Sequence, residues 1–233
     1  MSSPEAPEVI ATPEVDHARQ HLIDVLRAEL GTGLIDTYIK PGLDVWARVS
    51  ADAWCRAAEV CRDKLHMRYF CFLSAVDWLP SPFGKSEDGA SRTGDEVRAL
   101  TAANLAEGLA HGYCGGDTRF QLIARLHSVT THLGIHLKVD VSDSDLTAAS
   151  WVRIFAGANW HEREVHEMFG IVFTGHPNMA KLYLPGDFVG HPLRKDFPLL
   201  AREVKPWPGL VDVEPMPGEP AGEEDGEASG EEA

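Results

Sequence analysis

Between Asn159 and Gly170 the chain reads Asn-Trp-His-Glu-Arg-Glu-Val-His-Glu-Met-Phe-Gly, its densest run of titratable side chains. His161, Glu162 and His166 are the residue types of a zinc protease, in which two histidines at i and i+4 face one ion and a glutamate works on the bound water. Here the histidines stand at i and i+5. At about 100° per residue their rings point about 140° apart, so one regular helix cannot bring both to a single metal. A stand-alone metal hydrolase is therefore the weaker alternative. Asn159 and Glu162 fit a capping box, and Gly170 is placed to end the helix. Glu162 and His166 share one stripe, Arg163 and Glu167 the next, and Val165 with Met168 or Phe169 turns to the core. Two uses of that surface stay open. One is a solvated face whose ion pairs contribute only tenths of a kcal/mol each; the other is an interface helix whose Glu162, Arg163 and Glu164 meet charges on a neighbour.

A second polar cluster, Gly-His-Pro-Leu-Arg-Lys-Asp-Phe-Pro-Leu, occupies residues 190–199. Prolines at both ends predict an extended run, with Leu193, Lys195 and Phe197 loosely opposed to His191, Arg194 and Asp196. A solvated basic loop is its plainest reading. The chain shows no nucleophile with an adjacent base and no glycine-rich phosphate cradle after a strand. Cys55, Cys61, Cys71 and Cys114 lack the C-x-x-C spacing of a zinc ribbon or an iron–sulfur site and read as ordinary reduced thiols.

The elements that would position these clusters follow from periodicity. Ala18, Leu22, Val25, Leu26 and Leu30 recur at helical spacing up to Gly31-Thr32-Gly33. Residues 34–39 and 44–49 flank a Pro41-Gly42 turn as a hairpin. Ser50 is an expected N-cap for a helix carrying Trp54, Ala57, Ala58, Cys61 and Leu65 on one face. Residues 68–78 form a dense apolar run that reads as a central strand. Residues 80–116 read as an insertion, with a weak helix at 97–109. Alternation over 120–126 and 135–141 predicts a second hairpin, and two short helices follow, at 146–155 and 159–169. This succession predicts an α/β or α+β fold, a mixed sheet with helices packed on it, over residues 17–170.

From Gly170 the character changes. Eight of the 15 prolines fall between Pro177 and Pro217, which excludes a long helix or a central strand there. Yet this 171–217 arm carries Leu182, Tyr183, Leu184, Phe188, Leu193, Phe197, Leu199, Leu200, Trp207, Leu210 and Val211. Each large apolar side chain is worth about 1.5–3 kcal/mol on burial, so the arm needs a surface to cover. The chain's own sheet is one candidate. An extended segment presents much area per residue, which favours wrapping a partner protein instead.

The net charge of −15 is concentrated at the ends: residues 1–16 hold four acids and residues 218–233 seven, with no Lys or Arg in either. The middle holds 25 acids against 21 bases and shows no basic stripe, so nucleic acid is not an expected partner. Both acidic ends read as disordered. The start lacks a basic, apolar leader pattern, and the longest apolar stretch, Tyr69–Val76, is far below a membrane span of roughly 18 residues.

Taken together, Glu-Arg-Glu-Val-His-Glu-Met-Phe-Gly-Ile at 162–171, Gly-His-Pro at 175–177 and Gly-His-Pro-Leu-Arg-Lys-Asp-Phe-Pro-Leu at 190–199 resemble the signature of the C-type, or 30-kilodalton-type, subunit of respiratory complex I, the proton-pumping NADH:quinone oxidoreductase. The closing Leu-Ala-Arg-Glu-Val-Lys-Pro-Trp-Pro-Gly is similar to actinobacterial members. Phe197 stands where many members have Tyr, and Ala180 where a basic residue is common. The resemblance implies a non-catalytic subunit of the hydrophilic arm that binds no cofactor itself, peripheral to the cell membrane on its cytoplasmic side. FMN and iron–sulfur clusters would lie in partner subunits. It further implies packing against the D-type subunit, near the B-type subunit, with Glu162, Arg163, Glu164, His176, His191, Arg194, Lys195, Asp196, Phe197 and Trp207 as interface candidates. The equivalent subunit of a membrane-bound hydrogenase or another quinone reductase is the alternative within the same kinship.

Overall fold

The computed structural model describes residues 16–83 and 94–198. The ends of the chain, including Trp207 and all of the Pro-rich arm beyond Pro198, and the middle of the insertion lie outside the described residues. Helix α1 (His17–Leu30) starts at Asp16, whose Oδ1 accepts the backbone N–H of Arg19 at 3.1 Å, and buries Leu22, Ile23 and Leu26. Strands β1 (Leu34–Tyr38) and β2 (Val45–Val49) form the expected antiparallel hairpin. A 3-10 turn at Ala51–Ala53 then leads into α2 (Trp54–Asp63), so the Ser50 hydroxyl makes no cap bond to the helix. Strand β3 (Tyr69–Asp77), helix α3 (Gly94–Glu107) and the hairpin of β4 (Phe120–Ser128) and β5 (Leu133–Val141) complete the main layer.

The five strands run in the order β1-β2-β5-β4-β3, with β2 and β5 parallel and the other pairs antiparallel. Alternate residues, Val45, Ala47, Val49, Leu122, Ala124, Leu126, Ile135, Leu137 and Val139, face α1 and α2 and form the core with Trp54, Ala57, Ala58 and Cys61. The mixed α/β layer fold is as the periodicity predicts. The opposite face is aromatic and polar: Trp46 stacks on His136 at 4.2 Å, and Lys138 is fully buried, with Nζ donating to the carbonyls of Tyr113 (2.9 Å) and Gly115 (3.0 Å).

Two expectations fail for identifiable reasons. Strand β3 lies at the edge of the sheet, not at its centre. Its apolar density comes from a roof: Phe70 packs between Phe155 and His161, and His161 Nδ1 donates to the Leu73 carbonyl at 3.2 Å. The helix expected at 146–155 is instead a short strand, β6 (Thr147–Ala149), followed by turns. Leu146 at φ +48° interrupts any helix there, and β6 pairs in parallel with β7 (Val172–Thr174) across the intervening helix α4 (Ala158–Phe169).

The four cysteines are free. No described helix is long and apolar enough to cross a membrane.

Candidate interface site

Helix α4 is an amphipathic element whose polar side is turned largely against its own chain. Gly157 takes the N-cap position without a side-chain cap, so the Asn159–Glu162 capping box does not form. Glu162 is fully buried: Oε2 accepts the Ser150 hydroxyl and Oε1 the Trp151 N–H, both at 2.6 Å. Burial in this apolar setting pushes its carboxyl up to about 7, against the opposing effect of those two hydrogen bonds. One turn on, Glu167 is also buried, and its two oxygens accept the consecutive backbone N–H groups of Leu182 (2.9 Å), Tyr183 (2.9 Å) and Leu184 (2.6 Å). Burial works against its charge, but the three N–H donors outweigh it and hold the pKa below the ordinary carboxylate value.

The same helix organises the carbonyls of the loop. Arg163 Nε donates to Ala180 O at 2.7 Å and Nη2 to Lys181 O at 3.2 Å. His176 Nε2 donates to Asn159 O at 3.2 Å while its Nδ1 accepts the Asn178 N–H at 3.0 Å. His161 and His166 face apart, the first to Leu73 O and the second to Ile171 O at 3.0 Å. No group of three or more His, Cys, Asp or Glu side chains among the described residues could hold a metal.

The second cluster closes the C-terminal end of α4. Gly170 sits at φ +79° and its N–H reaches His166 O at 2.9 Å. The next unpaired carbonyls are taken from residues 191–194: His191 Nδ1 donates to Glu167 O (2.9 Å), Leu193 N to Met168 O (3.2 Å) and Arg194 Nε to Phe169 O (2.7 Å). A Cβ on Gly170 would fall 2.4 Å from Arg194 Nη2 and 2.6 Å from His191 Nε2. Over its described residues, 190–198, this run is thus no extended basic loop. Consecutive turns, with Arg194 N bonded to His191 O and Phe197 N to Arg194 O at 3.1 Å each, shape it to the helix end.

An ionic clamp fastens the segment to the sheet. Arg119, just before β4, grips Asp77 through Nε (2.9 Å) and Nη2 (2.7 Å), and Asp196 through Nη1 (3.1 Å) and Nη2 (2.8 Å). Asp77 also accepts the N–H groups of Leu79 (3.0 Å) and Lys195 (2.8 Å). Burial opposes the Arg119 charge, and the two carboxylates overcome it, raising its pKa. Asp196 is lowered, its guanidinium partner outweighing the effect of burial. Arg194 is lowered by burial and by the neighbouring Arg119 charge.

The sequence-based candidates therefore separate. Glu162, His176, His191, Arg194 and Asp196 make contacts within the chain, and Glu162 has no surface left for a neighbour. Arg163 is engaged with backbone, and Phe197 packs on Phe188 at 6.0 Å. Glu164 and the Lys195 ammonium make no hydrogen bond or ion pair among the described residues and remain available. Periodicity missed Asp77, Arg119 and the clamp role of Glu167. The first two are 42 positions apart and meet only because β3 and β4 pair with Asp77 opposite Phe120. Outward of this framework stand Trp160 (68% exposed), Tyr183 (62%), Val189 (89%) and Leu193 (51%).

Residues 47–203 match the model of the family described as respiratory-chain NADH dehydrogenase, 30 Kd subunit. The chain belongs to that family. The C-type subunit of NADH-quinone oxidoreductase from Roseiflexus sp. is 47% identical over 92 residues, covering 40% of this chain and 53% of the relative. A C/D-type subunit of NADH-quinone oxidoreductase, from Cronobacter sakazakii, is 47% identical over 88 residues, covering 38% of this chain and 15% of that one. The matched region thus spans about half the length of the C-type relative and a small part of the C/D-type relative. Among solved structures, the membrane-bound sulfane sulfur reductase, an archaeal respiratory membrane complex, shares the fold over 80% of this chain and 88% of its own, with a TM-score of 0.54 at 16% identity.

Two outcomes test the site. Because its folded pKa is raised, Glu162 binds a proton more readily in the folded chain than in the unfolded one. Its contribution is therefore most favourable below its ordinary pKa of 4.5 and is lost as pH rises to about 7, by on the order of 3 kcal/mol at most. Glu162→Gln, which keeps one acceptor for Trp151 N–H and one donor toward Ser150, is expected to flatten that slope in denaturation midpoints measured from pH 4 to 8. At the clamp, Asp77→Asn should destabilise more than Asp196→Asn, the latter by about 1–3 kcal/mol. Amide exchange of residues 191–197 is expected to rise in both variants.

Proposed function

We propose that this chain is the C-type subunit of a proton-pumping NADH:quinone oxidoreductase, set in the hydrophilic arm beside the subunits that form the quinone site. In that assembly it holds partners in place and does no redox chemistry itself. NADH, FMN and the iron–sulfur clusters are then the business of neighbouring subunits, and the chain is peripheral to the membrane on the cytoplasmic side. The observation that carries this reading is the family match across 47–203, which includes both the α4 motif and the 190–198 motif that docks on it. The naming of relatives as NADH-quinone oxidoreductase subunits favours NADH as the donor over hydrogen.

The geometry supports a scaffolding role. The charged side chains of both motifs are largely consumed in shaping one rigid unit, and what that unit displays is apolar: Trp160, Tyr183, Val189 and Leu193. Apolar side chains exposed within a polar rim are the composition of a protein interface. The relatives of C/D type support the D-type subunit as the neighbour; the B-type subunit is proposed to stand next to it. Glu164 and Lys195 are proposed to meet charges there, and Trp207 to continue the contact.

Tagging the chain in its own host and solubilising membranes in mild detergent tests this. The expected product is a large assembly containing iron and flavin and oxidising NADH with quinone. Recovery of the chain without D-type and B-type subunits would refute the proposal.

A further inference from the structure

The loop between Lys181 and Gly190 is built around one ammonium. Lys181 Nζ donates to the carbonyls of Phe188 (2.9 Å), Pro185 (3.3 Å) and Gly186 (3.3 Å), and the Phe188 N–H closes a turn onto Pro185 O at 3.1 Å. The Phe188 ring lies on Phe197. Gly190, at φ +108°, brings the backbone so near that ring that a Cβ would stand 2.6 Å from Phe197 Cε2. The loop is therefore tied down on both sides of Val189, whose own side chain is the most exposed of the large apolar residues described, at 89%.

A single exposed valine is ordinary. Here three features lift it out of the ordinary. Its backbone is already fixed, so a partner that covers it loses little conformational entropy in ordering the loop. Tyr183 and Leu193 are also exposed, and both are anchored to adjacent residues at the end of α4, Tyr183 N to Glu167 Oε2 and Leu193 N to Met168 O. The surroundings are polar, with exposed Lys181, Asp187 and Lys195 as a rim.

We propose that residues 185–190 form a preformed knob, with Val189 at its tip, that inserts into an apolar socket on the D-type subunit, flanked by Tyr183 and Leu193. This rests on the assembly reading above and names the part of the chain that secures it. A D-type chain is the fitting occupant because relatives carry C-type and D-type parts in one named polypeptide, which keeps the two at high local concentration. A lipid surface fits poorly, since Asp187 stands two residues from the tip and the rim has no cluster of bases.

The test uses the full-length chain and the D-type subunit of the same host, with affinity measured on the purified pair and with anionic vesicles as a separate arm. Val189→Asp is expected to weaken binding to the D-type subunit about ten-fold or more, leaving the thermal midpoint of the free chain unchanged. Lys181→Met, which releases the three carbonyls, is expected to weaken it in the same direction. Val129→Asp is the control: Val129 is 65% exposed in the β4–β5 turn, at the opposite end of β4 from Arg119 and its Asp196 partner, and its variant should bind as wild type. Wild-type binding with no loss in Val189→Asp would overturn the knob alone, as would equal loss in Val129→Asp. Vesicle binding that depends on Val189 would overturn the protein socket. Failure of the wild-type pair to associate would overturn the assembly reading along with it.

Discussion

One guanidinium joins three distant parts of this chain. Arg119 binds Asp77 at the end of β3 and Asp196 in the C-terminal segment, each in a two-point contact, while Asp77 itself receives the N–H of Lys195. A planar fork between two carboxylates fixes direction as well as distance, and water is largely excluded from Asp77. Everything described after β7 depends on that anchorage. The segment carries no regular structure of its own, and side chains and backbone at the end of α4 and around Arg119 supply the polar partners that a helix or sheet would otherwise provide.

Helix α4 meets that need from the other side. Its buried Glu167 collects three consecutive N–H groups, Arg163 takes two carbonyls, and its own last carbonyls are closed by His191, Leu193 and Arg194. Helix and segment are thus each other's caps. Neither the end of the helix nor the fold of the segment is satisfied without the other. The exchange also converts what composition suggests is an adaptable arm into a preorganised surface, at least as far as Pro198.

For the scaffolding role proposed above, such rigidity is functional. An interface displayed on a segment that must first fold would lose much of its contact energy to ordering. Here the ordering is done within the chain by ionic and backbone contacts, and the apolar side chains left outside are free to bind. The buried Glu162 adds a pH-dependent element to the same framework, because its carboxyl titrates near neutrality inside the protein.

What the sequence by itself determined is substantial. Helical and alternating periodicities located α1, α2, α4, both hairpins and the mixed layer, since each of these buries one regular face and leaves a local pattern. The five-residue spacing of His161 and His166 already argued against a shared metal, and their separate carbonyl partners bear out the angle. The two motifs also pointed to the family. The tertiary structure decided the rest. Glu162 and Glu167 read as solvated or partner-facing charges because a helix wheel cannot show that Ser150, Trp151 and the 182–184 backbone will be brought against them. Strand β3 read as central because its roof, α4, lies about 80 positions later in the chain. Asp196 stood in a legible motif, but Asp77 and Arg119 left no trace in any window, since ion pairs between residues tens of positions apart exist only once strand pairing has set the distances.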